Sequence, residues 1–352
     1  MKIAILLNES DTVHSTNWSF EWVKYCEIND ILYEIIDPYE RSVIGKLAHY
    51  EIILWHYSNY LFTDLLIAKN ILFSLELSGK IVFPSIRDCW HFDDKLAETY
   101  LLESIKAPIP ASYYFYEKNK VLKNELLESI HFPIIAKLRN GSGSHNVKKI
   151  SNKKELVKYN DKIFNVGIDS SPSLFYKTSS NLRSTKNISM FINRFKRIPE
   201  FLRSLSNAKK FNLERGYLFL QDFIVNDGFD LKIVVVGNKL SFVCRNIRKG
   251  EFRASGSGDI FYDKSKITSD IINSAFETSD KLGFLCMGYD YVVNRNNGQG
   301  VIIEISYGFS HSAILDCGGY FDRKGNWVDE PLNVPFEILK NLIFRYEKTQ
   351  NH

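Results

Sequence analysis

The sequence predicts an α/β domain on a parallel, doubly wound sheet, followed by α+β structure rich in antiparallel strands. Three observations carry that reading. Over the first ninety residues, short apolar runs alternate with helix-period segments, the pattern of a sheet buried on both faces. From Tyr217 onward, long apolar strands follow one another closely, with turn residues between them. And 352 residues exceed what one core ordinarily organises, at roughly 100–200 residues per domain. An apolar share of 45%, with 25 Phe and 19 Tyr, supplies such cores and excludes a disordered or collagen-like chain.

Taken in order, KIAILL, ILYEII, EIILW and KIVFP read as strands rich in Ile, Leu and Val. Between them, WSFEWVKYCEI and LFTDLLIAKNILFSLELSG read as helices, the second stopped by Gly79 at its C′ position. Asn8-Glu9-Ser10 follows the first strand where a dinucleotide site needs a glycine-rich turn, so that class of site is not expected. Asp93 is expected to cap a helix running through Lys95 to Ser104, which Ala107-Pro108-Ile109-Pro110 then ends. Next come a strand at Ser112–Tyr116, a short helix near Asn124–Ile130, the strand PIIAKL, a GSGS turn and the strand-like HNVKKI. Helical period returns around Met190–Leu205, broken by Pro199. YLFLQDFIV, FDLKIVVVG and KLSFVCRNI are strands, and a helix at Asp270–Leu282 leads into a hairpin. The hairpin pairs MGYDYVV with GVIIEIS across Asn296-Asn297-Gly298.

Composition narrows the setting. No run approaches the roughly 18 apolar residues of a membrane helix. The opening MKIAILL is cut to a strand's length by Asn8-Glu9-Ser10-Asp11, so it is not read as a signal peptide. Cys26, Cys89, Cys244, Cys286 and Cys317 are odd in number and scattered, which implies reduced thiols in a cytoplasm. The net charge of +4 hides a strong asymmetry: Ser171–Arg215 holds ten basic and two acidic residues, leaving 35 basic against 39 acidic elsewhere. A local +8 is either a solvated face or an electropositive wall for an anionic substrate or membrane headgroups. Nucleic acid is not expected, because no reader motif accompanies the charge.

Four features ask for a nucleotide. Lys137 on the strand PIIAKL is followed by Gly141-Ser142-Gly143-Ser144, where alternate glycines let backbone N–H groups turn toward phosphate oxygens. A surface hairpin is the plainer reading of that run, and GKS or GKT, the mark of a Walker loop, is missing. Asp290 in GYDYV and Glu304 in VIIEIS interrupt apolar strands that pair with each other. Two such acids need compensation, by magnesium beside a phosphate loop or by a salt bridge. NIRKGEFRASGSG brings Arg245, Arg248 and Arg253 to a second glycine-serine run, and arginines suit transferring phosphoryl oxygens. LQDFIVNDGFDLKIVV passes from strand to strand with Gln221 and Asp230 as polar interruptions.

In this order the four resemble the ATP-grasp superfamily, which includes D-alanine–D-alanine ligase and glutathione synthetase. The resemblance spans essentially the whole chain. It implies a Rossmann-like N-terminal parallel sheet at 1–93, followed by a two-lobed ATP-grasp fold. Its small lobe, with the phosphate loop and the basic insertion, would occupy 94–220. The large lobe with the metal site would occupy 221–352. Position by position, Lys95 looks like the first phosphate-binding lysine, Lys137 like the second, and Gly141–Ser144 like the loop over the triphosphate. The Gln221 side chain, Asp222 carbonyl and Ile224 N–H would hold the adenine edge, and Asp230 the ribose. Asp290 and Glu304 look like magnesium ligands, with Ser306 standing where the family usually has Asn. Lys232 stands where many relatives have Arg. Arg245 and Arg253 would serve catalysis.

The implied activity is ATP- and magnesium-dependent ligation of a carboxylate to an amine through an acyl phosphate, needing no protein nucleophile. FRASGSG, EISYGF and CGGYFD look like a branch associated with bacterial surface polysaccharide synthesis, which implies a uronic-acid sugar or an amino acid as partner. A kinase that stops at the phosphorylated acceptor, and a non-catalytic nucleotide-binding protein, are the alternatives. His145, in the loop, and His311, past the metal strand, are further candidates near the acceptor, each with a structural alternative; Tyr307 is as well read as core. Nothing in the sequence sets the oligomeric state.

Overall fold

β1 (Ile3–Leu6) lies between β2 (Tyr33–Ile36) and β3 (Ile52–Leu54), and β4 (Ile81–Phe83) completes a wholly parallel sheet ordered β2-β1-β3-β4. This computed structural model describes residues 1–7, 18–59, 61–121, 130–141, 146–170, 213–248, 250–252 and 259–350. β1 and β3 are fully buried, as their unbroken apolar sequences require of strands covered on both faces. α1 (Trp18–Ile28), α2 (Val43–Leu47) and α3 (Phe62–Leu77) supply the crossovers. α3 ends as the sequence predicts, with Gly79 left-handed at φ 91°. The expected doubly wound opening is present.

α4 (Ile86–Cys89) and α5 (Lys95–Ser104) lead into the second sheet. The expected cap of α5 is corrected by one residue. Asp94, not Asp93, accepts the Ala97 N–H, at 3.1 Å. Asp93 takes a left-handed backbone (φ 60°), which a short polar side chain tolerates, and its carboxylate accepts the Gly141 N–H at 3.2 Å. The acid assigned to a helix end thus holds the start of the phosphate-loop candidate.

The second sheet is antiparallel, with β5 (Ser112–Phe115), β6 (Ile134–Lys137), β7 (Val147–Ile150) and β10 (Leu218–Asp222) ordered β5-β10-β6-β7. β10 crosses the residue 220/221 boundary expected from sequence and keeps Gln221 and Asp222 in this sheet. α6 (Lys153–Asp161) packs beneath it, and β8 (Ile168–Asp169) pairs with β9 (Leu213–Glu214) at its margin. Nearly all of the helix expected near 124–130, the loop residues 142–145, Arg253 and nearly all of the basic stretch lie outside the described residues.

The third sheet is built from β11 (Phe229–Val236), β12 (Lys239–Asn246), β14 (Cys286–Val293) and β15 (Gly300–Ser306), all antiparallel. β13 (Ile260–Phe261), β16 (Tyr320–Phe321) and β17 (Trp327–Val328) extend it on the β12 side. α7 (Ser269–Leu282) starts on a Thr268 cap and stops at left-handed Gly283. α8 (His311–Leu315) and α9 (Val334–Gln350) follow the last long strand. The predicted β14–β15 hairpin forms, with Gly298 at positive φ in its turn.

Two cores hold this together. The first and third sheets share one apolar core, reinforced where Trp22 Nε1 donates to the Pro335 carbonyl and Leu285 N donates to buried Asp88. The second sheet keeps a smaller core of its own around Leu138, Leu156 and Leu220. All five cysteines are free. No helix among the described residues is long and apolar enough to cross a membrane.

Candidate active site

A cleft opens between the second and third sheets, with about 740 Å³ of empty space when its open mouth is included. Its walls are apolar, with Ile135, Val147, Phe223, Phe252, Val292 and Ile303 among them. Its polar positions are few: Lys137, Gln221, Asp222, Asn226, Asp230, Asp290 and Glu304, with Ile224 beside them. Seven of the residues singled out from sequence therefore meet in one place, although they come from β6, β10, β11, β14, β15 and the segment after β10. Apolar walls with a few convergent polar groups are the usual form of a small-molecule site.

The lysines enter from the second sheet and from α5. Lys137 ends β6 and donates to the Ile303 carbonyl at 2.8 Å. That carbonyl is available because β15 carries a bulge. Asp290 pairs with Glu304 but Tyr291 pairs with Ile302, so Ile303 is the extra residue. Burial pushes the Lys137 ammonium down to about 8, with Lys95 adding to the effect and Glu304 opposing it. Lys95 donates to the Gly141 carbonyl and lies 3.4 Å from Glu304. Burial disfavours its charge, yet Glu304, Glu98 and Asp93 outweigh this and hold its pKa above the ordinary lysine value. Gly141 sits at φ 126°, where a Cβ would strike the Asn146 amide, so this loop start admits only glycine.

Asp230, Lys232, Arg245, Asp290 and Glu304 lie in register across four strands: Asp230 opposite Arg245, Lys232 opposite Asp290, Asp290 opposite Glu304. Arg245 Nε donates to Asp230 at 2.6 Å, and its other end lies 3.1 Å from Asp290 Oδ1. Lys232 Nζ is 2.5 Å from the same oxygen. These distances mark ion pairs, yet Asp290 Oδ1 makes no aligned hydrogen bond among the described residues. We read the contacts as charge compensation, which depends on distance more than on angle, with lone pairs left over. Burial raises the Asp290 pKa, but Arg245 and Lys232 outweigh it and hold the carboxyl below its usual range. Asp230 goes the other way: burial pushes it up to about 6 against the pull of Arg245. Among the described residues no three His, Cys, Asp or Glu side chains gather as a metal cluster.

The remaining predicted residues are placed less centrally. The Ser306 hydroxyl turns back onto Gly308, donating to its carbonyl at 2.9 Å and accepting its N–H at 3.1 Å. Arg245 lies beneath the acid row instead of on the cleft wall. His311 is buried beside His56, away from the cleft, and Tyr307 is core, donating to the Tyr57 carbonyl. Sequence reasoning missed Glu98, a buried acid one turn after Lys95 that accepts the Ile305 N–H, and Asp93. The Lys95/Glu98 spacing of i, i+3 on one helix face was the available signal.

No family model matches the chain, and no curated protein does. Solved structures match along its length. D-alanine–D-alanine ligase from Bacillus anthracis, complexed with ATP, aligns at TM-score 0.58 and 11% identity, covering 99% of each chain. A RimK domain ATP-grasp protein from Sphaerobacter thermophilus aligns at 0.52 and 13%, covering 97% of this chain and 100% of that one. The ATP-grasp ligase PsnB, complexed with a precursor peptide and AMPPNP, aligns at 0.53 and 10%, covering 98% of both. With parallel and antiparallel sheets arranged as in these neighbours, the chain has the ATP-grasp fold.

Proposed function

We propose that the protein is an ATP- and magnesium-dependent carboxylate–amine ligase, working in the cytoplasm through an acyl phosphate. The observation that carries this reading is the convergence of Lys137, Gln221, Asp230, Asp290 and Glu304 on one apolar cleft, with Lys95 3.4 Å from Glu304. Adenine is supported by the Gln221 Oε1 acceptor, which is buried without a partner among the described residues, and by the apolar side chains on both walls. Lys95 and Lys137 would neutralise phosphate oxygens, with Gly141–Ser144 as the covering loop, and Asp230 would face the ribose. Glu304 and Asp290, with lone pairs to spare, would hold magnesium; Ser306, turned to Gly308, is the weaker ligand of the set. Bound magnesium would draw charge from the phosphate oxygens. Arg253 would stabilise the transferring phosphoryl group, and Arg245, paired with Asp230 and Asp290, would act through those acids from behind the cleft wall.

The substrate carboxylate would displace ADP at the γ-phosphorus, and an amine would then displace phosphate from the acyl phosphate. Positioning supplies most of the rate, since no protein nucleophile is needed. The segments FRASGSG, EISYGF and CGGYFD, with a local +8 to draw in an anion, support a uronic-acid sugar or amino acid in surface polysaccharide synthesis. Screening carboxylic acids and amines together tests the reading. A ligase releases ADP and phosphate in step with amide. Stoichiometric ADP with a phosphorylated acid and no amide identifies a kinase instead.

A pH dependence follows from Lys137. Its charge favours phosphate, and in the free protein that charge is lost as pH rises through about 8. Without magnesium, ATP affinity should fall above pH 8, by up to about tenfold per unit, because binding then takes up one proton. Calorimetry from pH 7 to 9 measures the slope. Lys137→Met should bind weakly at every pH and show no slope.

A further inference from the structure

We infer that Ser112 sets the base selectivity of this cleft, by fixing the Gln221 amide so that adenine is accepted and guanine refused. The inference rests on the nucleotide reading above and deepens it. Gln221 is 3% exposed and ends a β10 face that looks into the cleft. An amide can present either its oxygen or its NH₂, and the neighbouring hydrogen bonds decide which. Here the decision is made one strand away. Ser112 lies directly opposite Gln221 in the β5–β10 register. Its hydroxyl donates to the Pro110 carbonyl at 2.9 Å and accepts from Gln221 Nε2 at 3.0 Å. A hydroxyl has a single hydrogen, so once Pro110 takes it, only an N–H can approach from Gln221. The Tyr114 hydroxyl, itself turned to Glu103 at 3.0 Å, is also near Ser112 and does not disturb this. A hydrogen given to Tyr114 is equally withheld from Gln221.

The relay leaves Gln221 Oε1 as a buried acceptor with no partner among the described residues. Adenine carries an NH₂ donor at C6, whereas guanine carries an oxygen acceptor there. Adenine completes the hydrogen bond, and guanine would place oxygen against oxygen in a dry, apolar cleft. Leaving such a group unpaired costs more than the bond gains, so the selectivity is built from refusal. Ser112 touches no ligand; it is a positioning residue.

Calorimetry with AMPPNP and GMPPNP on the full chain, with magnesium, tests this. Wild type should bind the adenine analogue at least about tenfold tighter, the scale of one buried unsatisfied acceptor. Ser112→Ala frees the amide to turn, so both analogues should bind and the ratio should fall to about threefold or less. Ser112→Thr keeps the hydroxyl and should restore the ratio. Equal binding by wild type, or an undiminished ratio in Ser112→Ala, overturns the inference and leaves the nucleotide reading standing. Binding of neither analogue by wild type overturns both. Should Ser112→Ala fail to fold, the wild-type ratio and Ser112→Thr still decide.

Discussion

Glu304→Gln is expected to weaken magnesium binding to the ATP complex on the order of a hundredfold while leaving the fold nearly as stable as wild type. The substitution keeps shape and an acceptor oxygen but removes the charge. Glu304 is the acid best placed to use that charge on a ligand. Its side chain is a quarter exposed to the cleft, against 8% for Asp290 across the strand pair. Its protein partner, Lys95, is 3.4 Å away and also bound to the Gly141 carbonyl, so neither group collapses onto the other. Loss of the carboxylate leaves Lys95 with Glu98 and Asp93 as remaining counter-charges, which limits the cost to folding. Magnesium titration into the ATP complex by calorimetry, beside thermal unfolding of the free protein, separates the two effects. Unchanged magnesium affinity would reduce Glu304 to a counter-ion for Lys95.

How much of this was legible beforehand depended on whether the signal was local. The parallel sheet was, because its central strands β1 and β3 bury both faces and so carry unbroken apolar runs in plain view. The cleft was legible for a related reason: Asp290 and Glu304 are the lone charges of their strands, and Asp230 shares its strand with Lys232 alone. What could not be read was compensation. That Lys232 and Arg245 would reach Asp290 depends on the order of β12, β11 and β14 in the sheet, which no local pattern reports. The bulge at Ile303 that offers its carbonyl to Lys137 depends on register, and the one-residue shift from Asp93 to Asp94 depends on a contact between Asp93 and Gly141, 48 positions away. Ser112 was invisible as anything but a strand residue, since its role exists only opposite Gln221.

Asp290→Ala should cost the metal-free, nucleotide-free protein about 3–5 kcal/mol, the usual penalty for removing one member of a buried charge cluster. The size follows from what is left behind. Lys232 loses a partner at 2.5 Å and Arg245 one at 3.1 Å, and among the described residues Arg245 keeps a directly bonded partner in Asp230. A pure metal ligand behaves differently, because deleting it relieves repulsion in the empty site and leaves the free protein unharmed. Denaturant unfolding without metal or nucleotide therefore distinguishes an anchor of the cation row from an acid held open for magnesium. Pairing Asp290→Ala with Lys232→Met should return a large part of the loss, since the stranded cation goes with its partner. The pH dependence has a definite sign. Arg245 and Lys232 hold the Asp290 carboxyl below its usual range despite burial, so its stabilisation is complete above the unfolded value near ~3.9 and is lost as pH falls through the lower folded value. The gap between wild type and Asp290→Ala should therefore be flat around neutrality and close only in strong acid. A gap below about 1 kcal/mol at pH 7 would mean that the row is held by Asp230 and the backbone, and that Asp290 is free for a ligand.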